Sequence, residues 1–318
     1  MANIDTSGSE YPLMSNNKKR QLYWPDPLII EPSGSHTATA ILLHGRGSNA
    51  ERFGLEFLKA LTRSGKSLPE LFPGLKFIFP TAKKRRSVVL KKIPINQWFD
   101  NYSLEDPSQR QDLQYDGLHE TSLFVHKLIA QEIEVLHDAR KVILGGLSQG
   151  CAASLHVLLN WQSSEDESSH LGGYFGMSGW LPFASDLDPR AEACKNSDDK
   201  DEDGEDDMFG SDNEEDTDTP REPESLQSIQ RKAANVARDI ASLTTLDVST
   251  VPTFGSTPVF LGHGIHDEKV NVKLGEQARD VFLALGAEVM WKAYDEGHWY
   301  KVPDQIDDLV AFLNGVLN

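Results

Sequence analysis

The sequence predicts an α/β fold in which helices cover a mostly parallel central sheet. Short apolar runs of four or five residues alternate with longer segments whose apolar residues recur every three or four positions. Buried parallel strands typically form such continuous apolar runs, and helical crossovers join them. Hydrophobic residues make up 39% of the 318-residue chain, which is enough for a sizeable core.

The individual elements follow from these two periodicities. Strands are predicted where short apolar runs end at turn residues: 39–43, 76–79, 141–144, 173–177, 258–261 and 288–291. Helices are predicted where apolar residues repeat at helical spacing: 49–61, 118–136, 152–159, 273–285 and 304–317. One further stretch, 81–115, shows neither pattern and is predicted to be irregular.

The negative charge of the chain belongs mainly to one segment. Residues 198–218 contain 13 acidic residues and one lysine, a local charge of −12, which leaves −6 of the total of −18 for all other residues. Such blocks lack the apolar residues that offset the entropy of ordering. We therefore expect disorder over 195–222, within a polar insertion at 184–255 of a domain spanning 21–318, and a disordered tail at 1–20.

Composition also excludes several classes of protein. No apolar stretch approaches the roughly 18 residues that span a membrane, and the N-terminal segment lacks the apolar core of a secretory signal. Cys151 and Cys194 are expected to be free thiols in a reducing compartment. We expect a cytoplasmic protein without stable membrane insertion. The basic cluster at 83–86 leaves a nuclear location open, but without interleaved aromatic residues it does not predict nucleic-acid binding.

A candidate nucleophile lies in a G-x-S-x-G motif at residues 146–150. Ser148 follows a predicted strand and precedes a predicted helix. The flanking glycines permit the sharp strand-to-helix turn that exposes such a serine above the sheet. An ordinary glycine-rich turn would show the same motif, so the motif alone does not identify a nucleophile. A catalytic serine also needs a base and an acid that orients the base.

Acid and histidine candidates occur in the order that this motif requires. In sheets of this kind the acid and the base follow the serine along the chain, each in a loop after a strand. Asp267 and His298 each follow a predicted strand. We predict that Ser148, Asp267 and His298 form a catalytic triad. Asp295 lies only three residues before His298 and is assigned to the turn.

An oxyanion hole is predicted from two backbone donors. The N–H of Gln149 would lie at the start of the helix after the nucleophile. The second donor is the N–H of Arg46, in the HGRG loop at 44–47 that follows the first predicted strand. Small residues in this loop allow the backbone to approach the nucleophile.

Together these residues resemble the acyl-protein thioesterase, carboxylesterase and lysophospholipase branch of the α/β-hydrolases. Six segments carry the resemblance in family order: LLHGRG at 42–47, NQWFD at 96–100, GGLSQG at 145–150, MSGWLP at 177–182, HGIHDEKV at 263–270 and YDEGHW at 294–299. The resemblance implies an α/β-hydrolase fold with Ser148 as nucleophile, His298 as base and Asp267 as orienting acid. It also implies that Trp98 and Trp180 line the acyl site.

The activity that the resemblance implies is hydrolysis of carboxylic esters or thioesters through an acyl-serine intermediate, without a metal ion or organic cofactor. The substrate would be an acyl ester or thioester, with lipidated proteins among the candidates. Lysophospholipids and small-metabolite esters remain alternatives, as does acyl transfer to an acceptor other than water. The alternative from another class is a catalytically silent binding protein whose acidic segment recruits basic partners, although an intact triad argues against it.

Three residues depart from the family pattern. Arg46 stands where thioesterases of the family usually have leucine, and Ser48 where they usually have aspartate. A cation at position 46 would favour substrates that carry a carboxylate or phosphate. Cys151 replaces a usual glycine after the nucleophile turn, and we expect it to be packed rather than nucleophilic.

The second half of the insertion predicts an amphipathic helix over 225–243. Its apolar residues recur at steps of three and four: Leu226, Ile229, Ala233, Val236, Ile240 and Leu243. Such a helix must bury its apolar stripe. Two alternatives remain open: packing on the outside of the domain, or a mobile lid over the acyl site.

Overall fold

In the part of the chain that the structure describes, the central sheet has seven strands. A computed structural model of the chain describes residues 23–163, 169–191 and 224–317. The described strands, in chain order, are β1 (Leu28–Ile30), β2 (Ala38–Leu43), β3 (Leu75–Phe79), β4 (Lys84–Ser87), β5 (Ile93–Asn96), β6 (Val142–Leu147), β7 (Gly173–Met177), β8 (Val259–Gly264) and β9 (Val289–Tyr294). Strands β4 and β5 form a separate sheet. The sheet order is β1-β3-β2-β6-β7-β8-β9, and only β1 is antiparallel to its neighbour. The predicted mostly parallel sheet is confirmed.

Helices cover the sheet. The described α-helices are α1 (Ala50–Lys59), α2 (Leu68–Leu71), α3 (Tyr115–Leu136), α4 (Gln149–Asn160), α5 (Ala184–Leu187), α6 (Leu226–Ile240), α7 (Val272–Ala284) and α8 (Asp304–Leu317). Within the described ranges no helix is both long and apolar enough to cross a membrane. The helices predicted at 49–61, 118–136, 152–159, 273–285 and 304–317 are all present, with ends that differ by a few residues.

Two hydrophobic clusters account for the continuous apolar runs of the strands. Along β2, Ile41 and Leu43 belong to one cluster, together with side chains of α3, α4 and α7. Ala40 and Leu42 belong to the other cluster, with side chains of α1 and α8. Because successive side chains of a strand point to opposite faces, a strand covered on both sides is apolar throughout.

The region 81–115, predicted to be irregular, contains a hairpin. Strand β4 pairs with β5 in antiparallel register, with Lys84 opposite Asn96 and Ser87 opposite Ile93. The prediction was wrong here because β4 has the sequence KRRS, which shows no apolar alternation. The hairpin is a separate two-stranded sheet, so no core face imposes such a pattern on it.

The loops that follow the central strands form the edge on which the candidate site lies. Strands β2, β6, β8 and β9 are parallel, so their carboxyl ends lie at the same edge of the sheet. The turn after β6 contains Ser148, the loop after β8 contains Asp267, and the loop after β9 contains His298. Ligands bind at this edge in open α/β sheets.

The polar insertion is described only in part. Residues 192–223 lie outside the described ranges, so the disorder predicted for 195–222 remains a prediction, as do the domain boundaries and the tail at 1–20. The predicted helix is present as α6, within 225–243. Its first turn is capped by Ser225, whose hydroxyl accepts a hydrogen bond from the N–H of Ser228 at 3.3 Å.

Helix α6 packs on the body of the domain, chiefly against α4. Its buried side chains are Gln230, Ala233, Ala234, Ala237 and Ile240. Arg238 donates to the carbonyl oxygen of Asn160 at 2.6 Å, and Gln230 donates to that of Leu285 at 2.9 Å. This packing agrees with a helix on the outside of the domain rather than with a lid. The buried face contains more alanine than predicted, because Leu226 of the predicted stripe is exposed.

Two histidines share a polar cluster between α3 and α4. The Asn160 amide donates to the Ser122 hydroxyl at 2.9 Å and lies 3.1 Å from Nδ1 of His156. Burial lowers the pKa of His156 to about 3 and that of His126 to about 4. Both imidazoles are therefore neutral in the folded protein at neutral pH.

We predict that the free energy of unfolding falls as the pH is lowered from 6.5 towards 5. Unfolding returns His126 and His156 to the ordinary pKa of 6.5, so the unfolded chain takes up protons that the folded chain does not. Each histidine then costs up to about 1.4 kcal/mol of stability per pH unit. Urea denaturation at closely spaced pH values measures the slope.

A matched pair of variants isolates this effect. His156→Gln should make the slope shallower, because it removes one of the buried histidines that take up a proton on unfolding. His137→Asn removes an exposed imidazole at the left-handed end of α3, a conformation that asparagine tolerates, and should change the slope little. Equal slopes for the native chain and His156→Gln would contradict the assignment.

We also predict that Ala237→Glu destabilises the domain by about 3 kcal/mol or more, because it buries a carboxylate without a partner. Ala237 is fully buried. Gln227→Glu adds the same charge at an exposed position of the same helix and serves as the control. Chemical denaturation measures both variants, and equal losses would mean that α6 is not part of the packed core.

Candidate active site

Ser148 lies in a strained turn between β6 and α4. Its backbone has φ 57° and ψ −122°, a conformation that non-glycine residues rarely adopt. A Cβ atom at Gly150 would lie 2.1 Å from the carbonyl oxygen of Leu43, and one at Gly146 would lie 2.7 Å from the same atom. Only glycine fits at either position, which is the physical reason for the G-x-S-x-G pattern.

The structure brings the three predicted triad residues together. The Nε2 atom of His298 lies 2.9 Å from Oγ of Ser148, and its Nδ1 atom lies 2.7 Å from Oδ2 of Asp267. Since an ionised carboxylate only accepts hydrogen bonds, Nδ1 of His298 donates and Nε2 is left to accept the proton of the Ser148 hydroxyl. This arrangement is that of a nucleophile, a base and an orienting acid.

The Asp267 carboxylate is fully buried but well supplied with donors. Its Oδ1 accepts the N–H groups of Lys269 and Val270 at 2.9 and 2.8 Å. Its Oδ2 lies 3.3 Å from Nε2 of His263. Burial alone would raise the pKa of Asp267, but the hydrogen bonds from His263, His298 and Val270 outweigh it and hold the pKa far below its ordinary value. The group is therefore ionised at neutral pH.

Asp295, the other acidic residue near the candidate base, lies elsewhere. Its side chain is 84% exposed, and its Oδ1 atom lies 2.9 Å from Nε2 of His266. His266 is also exposed. The pair is a solvent-exposed contact and does not reach His298.

The loop predicted to supply an oxyanion donor is held by His44. The Nε2 atom of His44 accepts the N–H of Ala82 at 3.0 Å, so its Nδ1–H donates to the carbonyl oxygen of Gly45 at 2.7 Å. Burial lowers the pKa of His44 to about 4, which keeps this tautomer neutral. In the described part of the chain, no carbonyl accepts the N–H of Arg46 or Gln149, so both donors are available to a ligand.

A cavity of about 340 Å³ opens beside Ser148 and His298. Apolar residues form part of its wall: Phe53, Leu104, Leu147 and Trp299. Three cationic residues also line it: Arg46, Arg52 and Lys269. Volumes of roughly 300–1,000 Å³ are typical of small-molecule sites, so the cavity can hold an acyl group.

The assignment of Trp98 and Trp180 to the acyl site is not supported by this geometry. Both are almost fully buried, and neither is among the described residues that line the cavity. Trp98 instead donates its indole N–H to the carbonyl oxygen of His44 at 2.7 Å and so supports the 44–47 loop. Trp180 packs edge to face on Phe99, with ring centroids 6.0 Å apart.

The Arg46 side chain is tied to the hairpin rather than free. Its Nε–H donates to Gln97 at 3.1 Å, and Nη2 donates to the Ser87 hydroxyl at 2.6 Å. A carboxylate oxygen of Asp100 lies 3.8 Å from Nη2. Arg46 therefore joins the oxyanion loop to the hairpin, and its charge is partly balanced.

Cys151 is packed, as expected. Burial raises the pKa of its thiol to about 12, so the thiolate is not accessible. Cys194 lies outside the described residues.

Sequence reasoning left two supporting residues without a role. His44 holds the 44–47 loop and His263 approaches the candidate acid, but neither contact was predicted. The partner of His44 is the N–H of Ala82, 38 residues away. His263 lies four residues before Asp267, in the segment that carried the resemblance, and this spacing was the one available signal.

Known proteins share both the sequence pattern and the fold. The profile of the phospholipase/carboxylesterase family matches residues 25–198. Acyl-protein thioesterase 1 of Schizosaccharomyces pombe is 34% identical over 158 residues, which is 50% of this chain and 62% of that protein. The Gibberella zeae protein of the same name is 26% identical over 289 residues, 90% of this chain and 94% of its own.

A solved structure has the same fold. The crystal structure of Zea mays acyl-protein thioesterase 2 superposes with a TM-score of 0.58 at 23% identity, covering 92% of this chain and 99% of that one.

We predict that Asp267→Asn lowers kcat for ester hydrolysis by about 10²–10⁴, because the amide no longer fixes the His298 tautomer. Asp295→Asn makes the same chemical change three residues before His298 and should change kcat by less than about threefold, since this side chain is exposed. Steady-state kinetics of both variants on one ester measures the contrast. A larger loss at Asp295 would reverse the assignment of the acid.

Proposed function

Because the chain belongs to the phospholipase/carboxylesterase family, we propose that it hydrolyses carboxylic esters or thioesters through an acyl-Ser148 intermediate. The observation that carries the proposal is the continuous hydrogen-bonded chain from Ser148 through His298 to Asp267. Such a chain activates a hydroxyl that is otherwise a weak nucleophile.

Acylation begins when Oγ of Ser148 attacks the carbonyl carbon and its proton passes to Nε2 of His298. The Asp267 carboxylate, ionised because of its lowered pKa, stabilises the imidazolium that forms. The N–H groups of Arg46 and Gln149 hold the oxyanion of the tetrahedral intermediate. When the intermediate collapses, His298 returns the proton to the departing alcohol or thiol.

Deacylation repeats these steps with water. His298 takes a proton from the water molecule as it attacks the acyl-Ser148 carbonyl, and the same two N–H groups hold the second oxyanion. Collapse releases the carboxylic acid, and the proton returns from His298 to Oγ of Ser148. All steps use side chains and backbone groups of this chain.

The substrate class that we propose is an acyl ester or thioester, with acylated proteins as the first candidates. Two features support this proposal: the relatives are acyl-protein thioesterases by name, and the cavity beside Ser148 has an apolar wall. Lysophospholipids and small-metabolite esters are the alternatives. A chain-length series of 4-nitrophenyl esters, compared with an acyl-peptide thioester, ranks these substrates.

We predict that Ser148→Ala lowers kcat/KM for ester hydrolysis by at least about a thousandfold, because no covalent acyl acceptor remains. Labelling by a fluorophosphonate probe should be lost in the same variant. Ser185→Ala, at an exposed position, is the control and should keep both properties. Absence of labelling in the native protein, or activity of Ser148→Ala within about tenfold of native, would favour the silent binding protein instead.

A further inference from the structure

We propose that the substrate carries an anionic group, a carboxylate or a phosphate, that Arg52 and Lys269 bind beside Ser148. The inference rests on the proposed function and names the chemistry of its substrate. Three cationic residues and no acidic residue are found among the described residues that line the cavity. This is the reverse of the chain as a whole, which has 49 acidic and 31 basic residues.

Arg46 is not the cation that is free to bind. Its guanidinium donates to Gln97 and Ser87 and lies near Asp100. A substrate anion would have to compete with these partners. The sequence pattern predicts that Arg46 binds the substrate anion. The contacts of Arg46 favour the two other cations of the cavity, Arg52 and Lys269, instead.

The backbones of Arg52 and Lys269 are each anchored by a hydrogen bond. The N–H of Arg52 donates to the Asn49 side chain at 2.8 Å, at the start of α1, and the N–H of Lys269 donates to Asp267 at 2.9 Å. Neither side chain forms an ion pair with any residue in the described ranges. The two side chains therefore reach the cavity from anchored backbone positions, and neither is ion-paired with a carboxylate of the described residues.

Neighbouring acids do not cancel this charge directly. Glu51 precedes Arg52 and Glu268 precedes Lys269, but neither glutamate lines the cavity. Adjacent residues of a helix do not face each other, so Glu51 does not lie over Arg52; Glu56, four residues further on, shares the same face of α1 but forms no ion pair with Arg52. Cationic groups in a cleft attract anions and raise their local concentration.

The experiment compares esters that carry a carboxylate with neutral esters that carry a carboxamide of nearly the same size in its place. On the acyl side, mono-4-nitrophenyl adipate is compared with the 4-nitrophenyl ester of adipamic acid; on the alcohol side, 4-carboxyphenyl butyrate is compared with 4-carbamoylphenyl butyrate. The measured quantity is the ratio of kcat/KM for the anionic ester to that for the neutral ester, after subtraction of the uncatalysed rate. The two arms show whether the anion belongs to the acyl group or to the leaving group.

We expect a ratio above one in at least one arm, and a lower ratio at higher salt because exposed cations are screened. Arg52→Gln and Lys269→Gln should each lower the ratio about twofold to fivefold, as expected for exposed charge pairs. The double variant should lower it about fourfold to twenty-fivefold if the two contributions add. Lys59→Gln removes a cation about 10 Å further along α1 and should keep the native ratio.

Two outcomes would overturn the proposal. One is a native ratio at or below one in both arms; the other is a ratio in the double variant equal to that of the native protein. If the neutral esters are still hydrolysed and Ser148→Ala abolishes this activity, the proposed function stands and only the anion site is wrong. If no ester is hydrolysed and the fluorophosphonate does not label Ser148, both proposals fail.

Discussion

The turn between β6 and α4 approaches the end of β2 so closely that a Cβ atom at Gly150 would lie 2.1 Å from the carbonyl oxygen of Leu43. This contact strains the backbone of Ser148 and holds its hydroxyl at the edge of the sheet. Because β2 and β6 are parallel neighbours, it also brings the loop after β2 beside the nucleophile. The close approach of the two segments therefore places Ser148 beside the loop that contains Arg46.

Two histidines of the site, His298 and His44, each have one ring nitrogen held by a hydrogen-bond partner. The partner is at Nδ1 in His298 and at Nε2 in His44. Asp267 accepts a hydrogen bond from the Nδ1–H of His298, which leaves Nε2 to accept a hydrogen bond from the Ser148 hydroxyl. The N–H of Ala82 donates to Nε2 of His44, which leaves Nδ1–H to hold the carbonyl of Gly45. In each case a partner fixes the tautomer, and the free ring nitrogen acts on the site.

The sequence was sufficient to predict the sheet and to bring Ser148, Asp267 and His298 to one place, because both depend on short-range patterns. Ser148, Asp267 and His298 each follow a strand whose apolar run is unmistakable, so parallel topology alone brings them to one edge. Residues supported by distant partners were missed or misassigned. Nothing near His44 in the sequence indicates a hydrogen bond to the backbone of Ala82, 38 residues away. Nothing near Trp98 indicates that its indole N–H donates to the carbonyl oxygen of His44 and that its ring does not line the cavity.

Charge around the site illustrates the same limit. Composition indicates a strongly acidic chain, and comparison with the family pattern singles out Arg46. Arg46 is nevertheless hydrogen-bonded to the hairpin, which the polar sequence of β4 did not predict. Arg52 belongs to no motif, and Lys269 lies in the 263–270 segment without an assigned role; both reach the cavity because α1 and the loop after β8 begin at the same edge of the sheet. Since screening limits charge effects to about 8 Å at physiological ionic strength, a substrate entering the cavity meets these local cations rather than the net charge of the chain.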